Sequence, residues 1–97
     1  MKLITEKKLN KYLDLTTQAM KKVKIKKKLS KKDLKRAKTY LEMSKNYLSD
    51  AKHFKKEGNW VNAFAAVNYS HAWLDAGAIS ELFDVGKDNI MFTVDSD

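Results

Sequence analysis

The stretch Glu57 to Gly86, EGNWVNAFAAVNYSHAWLDAGAISELFDVG, runs thirty residues without a Lys or Arg in a chain of 97 that has 20 of them. Within it, sixteen of the twenty-four residues from Trp60 to Phe83 are apolar, and only Asp75 and Glu81 are charged. Lysine is this chain's commonest way of meeting water, so a segment that excludes it reads as the central, covered helix of a small bundle. Two apolar stripes support this. Trp60, Phe64, Val67, His71, Leu74 and Ala78 make one; Ala65, Tyr69, Ala72, Ala76, Ile79 and Phe83 make another. Such a helix is expected to be covered on both sides by its neighbours, with the small residues and Gly77 allowing close approach.

Working back from this segment, Gly58 supplies a left-handed residue and Asn59 an N-cap, so two antiparallel helices meet there. The preceding helix starts at Ser30, where Ser30-Lys31-Lys32-Asp33 approximates a capping box. Leu34, Ala37, Leu41, Ser44, Leu48 and Ala51 keep a seven-residue repeat along it, and Tyr40, Tyr47 and Phe54 add an aromatic row of the same period. A first helix from Thr5 carries Leu9, Leu13, Thr16, Met20 and Val23 on one face, widened by Tyr12, Leu15 and Ala19. Lys24 to Leu29 loses the period and reads as a connection. After Gly86, Ile90 to Val94 reads as an extended tail, expected to fold back on the bundle. The expected fold is therefore all-α: one domain over 1–97, an up-down-up three-helix bundle with helices at about 5–24, 31–57 and 60–83, and a short C-terminal tail packed on it.

The net charge of +8 is unevenly placed, +13 over residues 1–58 and −5 over 59–97. Lys21, Lys22, Lys24, Lys26, Lys27, Lys28, Lys31, Lys32, Lys35, Arg36 and Lys38 are set against one acid, Asp33, and form a candidate polyanion contact. Nearly all are Lys, which solvates a surface as readily as it binds phosphate, and no base-reading residues are interleaved. With no Cys, disulfides, thiolate metal sites and cysteine nucleophiles are excluded. The amino terminus has no apolar core of a signal peptide and no stretch is long enough to span a bilayer, so a cytoplasmic protein is expected.

Only His and carboxylates remain for catalysis or metal binding. His71 and Asp75 lie four apart, and Asp50 and His53 three apart, each pair on one helical face. The antiparallel turn at Gly58 keeps the two pairs about 12 Å from each other. His71 and Asp75 thus read as a buried structural polar pair, and no catalytic, cofactor-binding or metal-binding residues are assigned. The aromatics Trp60, Trp73, Tyr40, Tyr47, Phe54 and Phe64 fall on the apolar rows and are expected mostly in the core, Trp60 alone being partly exposed. Tyr40 to Phe83 resembles one helix pair of a tetratricopeptide array, but no second copy follows.

Tyr47 to Phe54, Gly58 to Ala66 and above all Tyr69-Ser70-His71-Ala72-Trp73-Leu74-Asp75-Ala76-Gly77 resemble a small archaeal family, the domain of unknown function numbered three-five-seven. The resemblance covers the second and third helices and leaves the first outside. It implies a short all-helical protein without an established activity, related forms of which can be attached to other domains, and it carries over no catalytic residues. A likeness to RNA-cutting helical toxins fails because no Arg stands four to six residues before His71. These readings lead to a non-enzymatic interaction module without cofactor, its partner another protein or a second copy of itself. Sequence-independent nucleic-acid binding through 21–38 is the alternative.

Overall fold

The structure, a computed structural model, describes residues 4–86. Three helices carry the fold: α1 (Glu6–Lys22), α2 (Lys31–Lys56) and α3 (Trp60–Ile79). Two-residue strands β1 (Lys24–Ile25) and β2 (Phe83–Asp84) follow α1 and α3. The all-α up-down-up bundle is as expected. Each helix starts on a polar cap. Thr5 Oγ1 accepts from the Lys8 N–H at 3.1 Å, Ser30 Oγ from Asp33 at 3.1 Å and Asn59 Oδ1 from Asn62 at 3.2 Å. These satisfy amide groups that a helix start leaves without internal partners.

The helix ends explain the difference at the third element, which stops at Ile79 and not at Phe83. At the end of α2, Gly58 takes a φ of 80°; its N–H donates to Lys55 and that of Asn59 to Phe54. Glu81 plays the same part after α3 with a φ of 60°, its N–H on Ala78 and that of Leu82 on Gly77. Both ends are Schellman turns. A glutamate in left-handed geometry costs roughly 1–2 kcal/mol, so its sequence gave no warning of the stop.

The turn at Glu81 sends the chain back across the α1–α2 connection. β2 pairs antiparallel with β1, Ile25 opposite Phe83 and Lys24 opposite Asp84, and the Lys26 N–H donates to the Leu82 carbonyl at 3.0 Å. The connection expected at Lys24 to Leu29 therefore contains a strand, and its partner is the segment just past α3. Leu82, Phe83 and Val85 are buried by this pairing. That is why the apolar pattern continued past the true end of the helix. The expected tail at Ile90 to Val94 lies outside the described residues.

The helix α3 sits against both others, while α1 and α2 touch each other little. Two apolar clusters result. One, toward the strands, joins Ala19, Ala37, Leu74, Ala78, Leu82 and Phe83; the other, toward the Gly58 hairpin, joins Leu9, Leu13, Leu48, Ala51, Ala63 and Val67. Between them lies a buried polar layer of Thr16, Ser44 and Ser70, each 1% exposed or less. Gly77 is small for a reason other than helix approach: a Cβ built there would collide with the Phe83 ring of the first cluster. The glycine makes room for β2.

Candidate functional site

The polar layer brings three buried hydroxyls together, with His71 at its edge. Across the α2–α3 seam, Ser44 Oγ donates to the Ser70 carbonyl at 2.9 Å and Ser70 Oγ returns a bond to the Ser44 carbonyl at 2.7 Å. Both hydroxyls are fully buried, and a reciprocal exchange of this kind holds two helices at small-residue distance. On the α1 side, Thr16 Oγ1 and His71 Nδ1 lie 2.9 Å apart. Spacing alone places Thr16 on an apolar stripe and does not mark it as a partner of His71. His71 and Asp75 are half-buried and not buried as expected, because they stand at the α1 edge of α3 where cover is incomplete.

His53 is exposed, with Nε2 3.2 Å from Glu57 Oε1. Among the described residues, no group of three or more His, Cys, Asp and Glu is placed to hold a metal ion. No helix among them is long and apolar enough to cross a membrane.

The basic segment is spread over the end of α1, the β1 connection and the first turns of α2. All eleven of its cations, from Lys21 to Lys38, are exposed. Arg36 is tethered: Nη1 donates to Asp33 Oδ1 at 3.2 Å, Nη2 to the Tyr40 hydroxyl at 3.4 Å, and the guanidinium lies 5.8 Å from the Tyr40 ring centroid. Its pKa is raised above the ordinary value, first by the Tyr40 hydrogen bond and then by the charge interaction with Tyr40 and the bond to Asp33. It stays a cation at any physiological pH.

A third surface was not expected. Val61, Tyr69 and Ile79 are 66%, 60% and 62% exposed, and Ala65 and Ala72 between them are exposed as well. Among the described residues, Ala65, Tyr69, Ala72 and Ile79 of the second apolar stripe thus face water, with Ala76 half-buried beside them, while Phe83 is buried in β2. Nor do the aromatics named from the sequence fill the core centre, although Tyr40, Phe54, Trp60 and Phe64 pack against it. Trp60, Trp73, Tyr40, Tyr47, Phe54 and Phe64 are all half-buried. They line the rims of the seams, with Tyr40 against Trp73 at 5.1 Å between centroids, Tyr47 against Tyr69 at 5.4 Å and Tyr12 against Phe64 at 5.2 Å. The core centre is filled by Leu, Val, small residues and the Phe83 ring, and these six rings stand around it.

The family model described as "Protein of unknown function (DUF357)" matches residues 11–83. The chain belongs to the DUF357 family. The DUF357 match takes in α1 from Lys11 onward, so the first helix is part of the shared unit and not an addition to it, and the basic segment 21–38 lies wholly inside. It ends at Phe83, where β2 begins. The comparisons found no matching curated protein and no matching solved structure.

Proposed function

We propose that this chain is a protein-interaction module, without catalysis of its own or a bound cofactor, and that the outer face of α3 is its docking surface. The supporting observation is the exposure of Val61, Tyr69 and Ile79, each 60% or more in water, on a helix without a Lys or Arg. Burying a large apolar side chain is worth about 1.5–3 kcal/mol, and contiguous exposed apolar surface marks sites of association. The strip is carried by a helix already held on two flanks, so it is presented without an ordering cost at binding.

The test is the double variant Val61→Lys/Ile79→Lys. Its thermal melt by circular dichroism should match the wild type within a few degrees, while association, followed by light scattering and by affinity capture with the wild type as reference, is lost. Association that survives both charges removes the reading, and a collapsed melt shows the two side chains to be structural.

A second reading rests on the eleven exposed cations of 21–38: sequence-independent binding of nucleic acid through phosphate contacts. Affinity would then fall by about 0.9 log unit per neutralised phosphate per log unit of salt. Anisotropy with labelled single- and double-stranded DNA and RNA tests it, with Lys26→Gln, Lys27→Gln and Lys28→Gln together weakening the complex. No binding at low salt removes it. Catalysis by His71 and Asp75 has less support, since the imidazole is engaged by the buried Thr16 hydroxyl.

A further inference from the structure

We infer that the groove between α2 and α3, beside the docking face, binds the cationic side chain of a Lys or Arg from a protein partner, held by the Asp50 carboxylate between aromatic rings. This rests on the docking reading above and adds the chemistry of what docks. Tyr47, Asp50 and Phe54 stand at i, i+3 and i+7 on α2, and Asn62, Ala65 and Tyr69 repeat that spacing on α3. The two Tyr rings meet at one end, 5.4 Å between centroids, while Phe54 and Asn62 line the other. Between these ends Asp50 has only Ala65 and Ala66 opposite it, and their lack of bulk leaves an open groove of about 320 Å³. That is the small end of the range for binding sites, room for one side chain and not for a folded segment.

Among the described residues nothing supplies a cation to this carboxylate. Asp50 makes no hydrogen bond or ion pair with any of them. The positions one turn away on its face are Asn46, Tyr47, His53 and Phe54, and His53 is turned to Glu57 at 3.2 Å. Lys45 and Lys52 stand about 140° and about 160° round the helix from Asp50. Across the groove, α3 has no Lys or Arg. A carboxylate this isolated stands out in a chain with 20 Lys and Arg against 12 acids.

The other end of α2 carries the complete arrangement. There Arg36 Nη1 lies 3.2 Å from Asp33 Oδ1, and the guanidinium lies 5.8 Å from the Tyr40 ring centroid. Lys8 Nζ likewise stands 5.4 Å from the centroid of Phe64. At Asp50 the carboxylate and the rings recur without a cation of the chain's own. Asp50 is about 4.5 Å along the axis from Tyr47 and about 6 Å from Phe54, so a cation paired with it comes within cation–π reach of both rings. The aliphatic stem of the incoming Lys or Arg has Ala65 and Ala66 to lie on. Ala65 and the 60% exposed Tyr69 belong to the groove and to the docking face alike, so one partner can engage both.

The probes are N-acetyl amides of lysine and arginine, with the norleucine amide as a neutral control, titrated into the full chain and followed by amide and aromatic NMR signals. The two cations should shift Tyr47, Phe54, Asn62, Ala65 and Tyr69 at millimolar concentration, and norleucine should bind about tenfold more weakly. Asp50→Asn should weaken cation binding about fivefold and leave norleucine unchanged, whereas Asp50→Glu should keep most of it. Asp50 is exposed, so both variants should melt with the wild type. Norleucine binding as tightly as lysine overturns the inference, as do cations indifferent to Asp50→Asn or shifts that fall outside the groove. Ile79→Lys, about 15 Å along α3 from Tyr69, separates the two readings: it should lower association and leave binding of the lysine amide intact. Association lost in Ile79→Lys while neither cation binds removes this inference alone. Association that survives in Val61→Lys/Ile79→Lys while the cations bind the groove removes the docking reading and keeps the cation site.

Discussion

The two faces of α3 are nearly equal in hydropathy and opposite in fate. Toward α2 it presents Ala63, Ala66, Ser70 and Gly77, all buried; on the far side Val61, Ala65, Tyr69, Ala72 and Ile79 meet water. The inner face is thus built of smaller residues than the outer one. Close packing selects for fit, so the α2 seam takes the residues that let backbones approach, while Val61 and Ile79 stand outside it and Tyr69 meets the Tyr47 ring at its rim. Apolarity alone does not say which side of a helix is inside.

The comparison is tested most severely at the deepest side chain. Leu74→Ala removes a fully buried residue from the α3 core side and should cost about 3 kcal/mol of unfolding free energy by urea denaturation. A loss below about 1 kcal/mol would mean that the inner side is not the rigid one. Gly77→Ala comes next. In an exposed helix it would stabilise, but here the added methyl meets the Phe83 ring, so a net loss of about 1–3 kcal/mol is expected. A raised melting temperature would show that β2 yields to α3.

The serine pair gives a finer measure. Ser70→Ala removes the hydroxyl that donates to the Ser44 carbonyl and should cost about 1 kcal/mol. Ser44→Ala/Ser70→Ala should cost less than the two single changes added together, because the hydroxyls touch at 3.1 Å and are lost as a unit. Strict additivity in that cycle would dissolve the pair into two independent contacts. The smallest effect belongs outside: Ile79→Lys should shift stability by no more than about 0.5 kcal/mol. A larger loss would show that the outer face is held by something in the monomer.

The three helices, their caps at Ser30 and Asn59, the glycine turn at Gly58 and the stripe of Leu9, Leu13 and Thr16 were all legible from spacing. Each depends on residues within a turn or two of chain, where periodicity and cap chemistry act. The stop at Ile79 was not legible, because Glu81 is a poor residue for the left-handed turn it makes and the pairing of β2 with β1 holds it there. The hydrogen bond between Thr16 and His71 spans 55 positions, and nothing local marks it. Of the candidate surfaces, the basic one was visible as composition, since lysines that are numerous and scarcely paired must be exposed. The outer face of α3 is legible only as an apolar stripe, which spacing alone places in the interior.

By itself, then, the amino-acid sequence determined that this protein is helical, where its helices begin, and that its cations gather in the first part of the chain. Those are properties of neighbouring residues and of solvation. The tertiary structure decided which apolar stripe of α3 is covered, which hydroxyls meet across the seam and where the chain leaves the helix for β2. Burial is a relation between segments: among the described residues α1, α2 and β2 cover α3, and one face of it is left open to water.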